Sequence, residues 1–390
     1  MGSALKFLFE SEASDRISRF LRSRGPRARI IAPVWVRERV MAEAPPEEPE
    51  QQASWSETPG MPAPQTDGIW NYIVLARDAE RERILLEELE LHKGVKVYGL
   101  FRDVLPALLC GANSLPRGRA LKDVKRYAIL CLPRSGSRYL ASMLNRHGLG
   151  TPLEHLREPL AAVIVEGKFG FGTAFEALER FGQRNGIFGT KLISTFLIKA
   201  SKGRLSELED NIDCLASRGY QFVHLDRPLT EAMISSYIAA RLNKWHFFED
   251  IDDATRNHLD GMAFDETAAW NEYIRFRAQK FVVGHIVRKF GFLTFSYEEV
   301  QSDVGRIVDH VCRSLEVETT NLQSGSASVP VPTRHELRTY ETFTGALAEL
   351  LDRRSRDIAP YTIGQIRSLV GIDQKAAERI AGEKEFASTS

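Results

Sequence analysis

The stretch YAILCLPRSGSRYLASMLNRHG, Tyr127 to Gly148, constrains the fold more than any other part of the chain. Its first six residues are apolar and read as a buried strand. PRSGSR then forms a loop, and the following residues read as a helix. A strand that enters a helix through a short loop aims backbone N–H groups at whatever sits at the helix N-terminus. The partial positive charge there favours an anion. This loop adds Arg134 and Arg138 as charges and Ser135 and Ser137 as hydroxyl donors, and Gly136 lets the backbone approach a guest closely. So many donors at the one place where an anion would dock favour an anion site over an ordinary turn with surface arginines.

The flanking sequence places this corner in an α/β architecture. IFGTKLI near Ile187, QFVHL near Phe222 and FLTFSY near Phe292 read as further strands. Helical patterns separate them, among them LTEAMISSYIAARLNKW and ETAAWNEYIRFRAQKFVVGHIVRKF. Strands alternating with helices predict a parallel, P-loop-like sheet flanked by helices over residues 123–322. Upstream, residues 69–122 carry a Rossmann-like βαβ pattern: YIVLA, a helix, then VKVYGLF. LARDAER occupies the place of the glycine fingerprint, so this module is read as structural or partner-binding. Residues 42–68, rich in Pro, Glu, Gln and Ser, read as a linker. Residues 1–41 read as an N-terminal helical segment. Its apolar Leu5, Leu8, Phe9, Ile17, Phe20 and Leu21 favour docking on the chain's own domain over a membrane surface. Beyond the linker SGSASVPVPT, residues 333–390 predict a C-terminal helical extension. No repeat of fixed period is present.

Composition excludes several classes. The 390 residues carry 52 basic and 52 acidic side chains, so no general basic surface for nucleic acid is expected, though a local basic pocket is compatible with neutrality. The four cysteines, at 110, 131, 214 and 312, form no CxxC pair and no zinc-type cluster with histidine. That usage fits a reducing compartment. No signal peptide or apolar membrane-spanning stretch is visible, which predicts a cytoplasmic protein without a membrane span.

Two anion-binding classes fit the corner poorly. A P-loop nucleotidase needs G-x-x-x-x-G-K-[ST], and PRSGSR has no Lys and one Gly. A Cys-dependent phosphatase needs Cys and Arg separated by five residues. Cys131 and Arg138 have six between them, and Cys131 belongs to the strand.

A third class matches better. From about Arg126 to Val317 the chain resembles the Stf0-type bacterial sulfotransferases, the family of trehalose 2-sulfotransferase. LPRSGSRYLASML is similar to that family's phosphosulfate loop, and HGLGTPLEHL to its G-x-x-G-x-P-x-E segment. IFGTKLI is similar to its F-G-x-K strand, and AWNEYIRF and LTFSYEEV to its late helix and Y-E strand end. DRPLTEAMISSYIAARLNKWH resembles a helix in which an Arg at a strand end is followed by a Ser eight residues on, here Arg227 and Ser235, and which ends near a tryptophan, here Trp245. Two positions depart: Arg138 stands where the loop has Thr, and His155–Leu156 where an aromatic pair is expected.

The resemblance implies a sulfotransferase that takes 3′-phosphoadenosine 5′-phosphosulfate (PAPS) as co-substrate, without a metal. It assigns the 5′-phosphosulfate to Arg134, Ser135, Gly136, Ser137 and Arg138, and the 3′-phosphate to Arg227 and Ser235. Arg134 and Ser137 also stabilise the charge on the leaving phosphate, and Glu154 serves as general base, with His155 and Glu158 as rivals. The acceptor it implies is a small-molecule or glycan hydroxyl, on a carbohydrate or glycolipid. Lys191 is either an acceptor or sulfuryl contact or a solvated lysine, and Trp245 either stacks on adenine or packs in the core. A homodimer and peripheral access to a glycolipid stay open. The alternative from another class is a non-catalytic nucleotide- or partner-binding protein on a degenerate form of the same fold.

Overall fold

The computed structural model describes residues 4–10, 13–24, 28–42, 54–56, 70–91, 95–111, 123–166, 169–242, 253–318 and 338–354. Trp245, most of the 42–68 stretch and the chain after Arg354 lie outside the described residues. Chain order and compact units do not coincide. Residues 1–122 and 155–182 make one unit, and residues 123–154 and 183–390 the other.

The first unit is built on a parallel sheet of β1 (Ala28–Ile31), β2 (Ser54–Ser56), β3 (Trp70–Val74) and β4 (Val95–Gly99), in the order β2-β1-β3-β4. The sequence predicts two of these strands. β1 and β2 are too short to show a period, and β2 falls inside the stretch read as a linker. The N-terminal segment read as helical over residues 1–41 holds the helices Ala4–Glu10, Ser14–Arg22 and Val34–Ala42, with β1 between the last two. Leu5, Leu8, Phe9, Ile17, Phe20 and Leu21 are all buried, as docking on the chain's own unit requires.

The helix starts after β3 and β4 hold acidic side chains of the protein itself. After β3, Asp78 caps the helix Ala79–Glu90 and accepts the Arg81 N–H at 2.9 Å. After β4, Glu82 accepts the N–H groups of Phe101 (2.9 Å) and Arg102 (2.9 Å). These N–H groups are thereby already taken up by acidic side chains of the chain itself. Glu82 is buried so completely that a Cβ on Gly99 would lie 2.1 Å from its Oε1. Burial pushes the Glu82 carboxyl up to about 8, and the backbone N–H bonds of Phe101 and Arg102 pull against that rise.

The second unit holds β5 (Lys125–Cys131), β6 (Ile187–Ile193), β7 (Tyr220–Asp226) and β8 (Leu293–Ser296), all parallel, in the order β6-β5-β7-β8. The three strands expected downstream of the corner therefore form as read. All of β6 and the last five residues of β5 are buried, which is why these strands read as unbroken apolar runs rather than alternating ones. On one face, Tyr127, Ile129 and Cys131 of β5 pack with Leu140 and Leu144 of the helix Ser137–Arg146 and Ile307 and Val311 of the helix Val304–Leu315. Chain direction reverses across the sheet at β5, because β6 lies on one side of it and β7 on the other. In open parallel sheets the crevice outside the strand ends at such a reversal is where ligands bind.

Gly189 decides how β5 and β6 close. It is the register partner of Tyr127, whose fully buried ring crosses it, and the Tyr127 hydroxyl donates to the Leu149 carbonyl at 2.7 Å. A Cβ at Gly189 would lie 2.4 Å from Tyr127 Cζ.

Gly189→Ala is expected to destabilise the protein by about 1–3 kcal/mol, the range for overpacking a closed core, read as a lower urea midpoint. Stability should also fall as pH rises. The folded state keeps the Glu82 proton to about pH 8, whereas the unfolded chain loses it near the ordinary carboxylate value, so between those limits the folded state binds more protons. Urea titrations from pH 5 to 9 should show this slope in the wild type and a weaker one in Glu82→Gln.

Candidate anion-binding and transfer site

The loop after β5 is shaped by two left-handed residues. Arg134 has φ 65° and Gly136 φ 79°. The Arg134 conformation costs a residue with a Cβ roughly 1–2 kcal/mol, so the surrounding contacts must hold it there. Ser135 is fully buried and its hydroxyl donates to the Leu132 carbonyl at 2.8 Å, which closes the turn. Gly136 leads directly into the helix Ser137–Arg146. Its missing side chain matters twice: for the positive φ, and because a Cβ there would lie 2.6 Å from the Tyr297 ring.

Arg227 fixes the loop from the end of β7. Only 4% of its surface is exposed. Its Nη1 donates to the Arg134 carbonyl, its guanidinium lies 4.2 Å from the centroid of the Tyr297 ring, and its Nε is 3.5 Å from Glu231 Oε2. Arg134 in turn donates from Nε to the Ser235 hydroxyl at 3.1 Å. The two segments that the sequence pairs by motif are therefore one cluster: Arg134 with Ser235, and Arg227 with the Arg134 backbone. Burial, and next the nearby Arg227 charge, bring the Arg134 guanidinium down to about 10, and the charges of Tyr297 and Glu154 work the other way. Two crowded arginines in a nearly closed place suit a strongly anionic guest, which would relieve both their desolvation and their repulsion.

Several residues hold this cluster that the sequence reading did not assign to it. Tyr297 opens the helix Tyr297–Ser302 directly after β8. Lys280, on the helix Glu266–Phe290, donates to the Arg227 carbonyl at 3.3 Å and pairs with Asp226 at 3.4 Å. Tyr340, on the helix Arg338–Arg353, donates from its hydroxyl to the Glu231 carbonyl at 3.2 Å. Tyr297 had a signal, since the Y-E segment ends a strand beside the corner. Lys280 and Tyr340 had none, because they reach the site only through helix packing.

Glu154 and Lys191 form the other half of the site. Leu153 bridges to Thr190 in parallel, and the Lys191 N–H donates to the Leu153 carbonyl at 2.8 Å, so the chain before Glu154 runs along the outer edge of β6. That register brings Glu154 Oε1 to 2.7 Å from Lys191 Nζ. The Lys191 side chain is 1% exposed and that of Glu154 33%. Lys191 is not a solvated lysine: it is buried and paired with the candidate base. Glu154 is also close enough for its charge to act on both Arg134 and Cys131.

Cys131 settles the phosphatase alternative. It is fully buried, and burial pushes its thiol up to about 12 despite the Ser137 hydroxyl hydrogen-bonded to it and the Lys191 charge. It is a core thiol, not a nucleophile. Arg138 lies half-buried in the first turn of the helix, and the side chain standing against Gly136 is Tyr297 rather than Arg138. The two rivals of Glu154 belong to the other compact unit: His155 is buried there, and Glu158 starts the helix Glu158–Glu166. Among the described residues, no group of three or more His, Cys, Asp or Glu could hold a metal ion, and no helix is long and apolar enough to cross a membrane.

No family model matches the sequence, and no curated protein does. The solved structures that match include a sulfotransferase from Alicyclobacillus acidocaldarius, 14% identical, with 66% of this chain and 100% of that chain covered and a TM-score of 0.32. They also include the sulfotransferase domain from the curacin biosynthetic pathway, 12% identical, with 65% and 99% covered and a TM-score of 0.30. Superpositions this loose carry no inference about what this chain does, which rests on the geometry of its own residues.

Proposed function

We propose that the chain is a PAPS-dependent sulfotransferase that moves a sulfuryl group to a hydroxyl of a carbohydrate or glycolipid acceptor. The observation that carries this reading is the joining of Arg134 with Ser235, and of Arg227 with the Arg134 carbonyl, at the point where the second sheet reverses. A donor with phosphate at both the 3′ and 5′ positions needs two cationic subsites, and the sequence resemblance assigns one to each of these segments. The donor set fits such a group: two arginines suited to bidentate phosphate contact, a hydroxyl, and backbone N–H groups at a helix start.

When bound, PAPS supplies a sulfuryl group already activated by its phosphate leaving group. Arg134, the loop N–H groups and Ser137 hold the 5′ end and take up charge as the S–O bond to phosphate breaks; Arg138 stands beside them on the same helix. Arg227 and Ser235 hold the 3′ end. Glu154 takes the proton of the acceptor hydroxyl as its oxygen bonds to sulfur, and 3′,5′-ADP is left. Nearly all of this is positioning and electrostatics, as in phosphoryl transfer.

One observation favours a second reading. A carboxylate tied to an ammonium at 2.7 Å is a weaker base than a solvated one, so a nucleotide-binding protein without catalysis on the same scaffold remains the competitor.

Calorimetry with 3′,5′-ADP separates these. Micromolar binding, about −8 kcal/mol, is expected for the intact protein. Arg134→Ala and Arg227→Ala should each weaken it by about 10- to 100-fold, the worth of a charged hydrogen bond; absence of binding by the folded wild type overturns both readings. Glu154→Gln should lower sulfuryl transfer from PAPS by about 10²–10⁴-fold at unchanged 3′,5′-ADP affinity. Binding without turnover on any sugar acceptor selects the non-catalytic reading, and near-normal turnover in Glu154→Gln removes it as the base.

A further inference from the structure

We propose that Glu231 stands in for the 3′-phosphate: its carboxylate gives Arg227 a counter-charge in the ligand-free protein and competes with the phosphate for that guanidinium, which sets how tightly the nucleotide is held. The inference rests on the nucleotide site proposed above, with or without catalysis.

Three residues spaced by four define the arrangement. Arg227 directly follows β7, Glu231 lies in the first turn of the helix Leu229–Leu242, and Ser235 follows one turn later. Residues four apart on a helix project from the same face. Glu231 and Ser235 accordingly meet the two arginines of the cluster one after the other. The Glu231 carboxylate lies 3.5 Å from Arg227 Nε, and the Ser235 hydroxyl accepts from Arg134 Nε at 3.1 Å. A phosphate held jointly by Arg227 and Ser235 therefore comes to lie beside the Glu231 carboxylate. Like charges brought together lower affinity and sharpen the choice of guest.

The carboxylate has a reason to be there all the same. The Arg227 side chain is 4% exposed, and a buried guanidinium needs compensation for its lost hydration. The Arg134 carbonyl and the Tyr297 ring supply part of it, each as a dipole or a quadrupole. Glu231 adds a full negative charge. Its contact is loose, 3.5 Å against roughly 2.7–2.9 Å for a charge-assisted hydrogen bond. A phosphate brings three acceptor oxygens and roughly −1.5 to −2 of charge at neutral pH. It can take over the Arg227 N–H edge while the Glu231 side chain, 29% exposed, turns toward solvent. The Glu231 backbone stays in place meanwhile, since the Tyr340 hydroxyl donates to its carbonyl at 3.2 Å. A nucleotide without a 3′-phosphate has nothing to offer in this exchange and leaves Glu231 on Arg227.

The test is calorimetry on the full-length protein with 3′,5′-ADP and with 5′-AMP, which lacks the 3′-phosphate. Glu231→Gln keeps the size of the side chain and removes its charge. It should bind 3′,5′-ADP about 10-fold more tightly than the wild type does, and 5′-AMP within about twofold. Ligand-free, it should melt at a lower temperature, because the buried guanidinium has lost a counter-charge. An ion pair that only orients Arg227 gives the opposite sign, since its loss weakens the hold on phosphate. Unchanged or weaker 3′,5′-ADP binding by Glu231→Gln therefore overturns the proposal. So does a variant that melts no lower, and so does an equal gain for both nucleotides, which would mean a general effect of charge rather than competition at the 3′ subsite. If Glu231→Gln does not fold, Glu231→Asp decides, because it withdraws the carboxylate from Arg227 by one methylene. It should bind 3′,5′-ADP more tightly than the wild type, and unchanged or weaker affinity is the overturning result. A folded wild type that does not bind 3′,5′-ADP overturns the nucleotide reading itself.

Discussion

The contact between the Arg227 guanidinium and the Arg134 carbonyl holds the second unit's working edge together. Arg134 sits in a left-handed conformation that a residue with a side chain avoids, and Arg227 is an almost fully buried charge. Neither would persist alone. The loop carbonyl satisfies one guanidinium N–H, the Tyr297 ring covers its face, and Glu231 offsets its charge. The strained loop is fixed in return. Gly136 belongs to the same arrangement, since any Cβ there would enter the ring that covers Arg227.

Different strand ends of the two units carry different side-chain chemistry. In the first, Asp78 and Glu82 answer the N–H groups at the helix starts after β3 and β4. In the second, the loop after β5, the strand that holds the place of β1, is lined by arginines and hydroxyls. The difference is a few side chains, and the folds of the two sheets, each four parallel strands with a reversal in the middle, are otherwise alike in plan.

Much of this was legible beforehand, and the reason differs from residue to residue. β5, β6 and β7 were legible because strands buried on both faces must be apolar throughout. The strand–loop–helix corner was legible because an apolar run passes through a short loop with one glycine into a helical pattern. β1 and β2 were not, being three or four residues long and held by pairing with strands far along the chain. The pairing of Lys191 with Glu154 was not legible, since the register of β6 against Leu153 is not written in either segment.

The sequence alone determined the alternation of strands and helices, the neutral overall charge and the placing of Arg134 and Arg227 just after strands. These follow from local periodicity and from residue chemistry. Only the tertiary structure decided that Arg134 meets Ser235, that Tyr297 rather than Arg138 stands over Gly136, that Cys131 is sealed in the core, and that Glu154 is tied to Lys191. Each of these is a contact between segments that become neighbours only when the sheet orders its strands, so no stretch of sequence contains it.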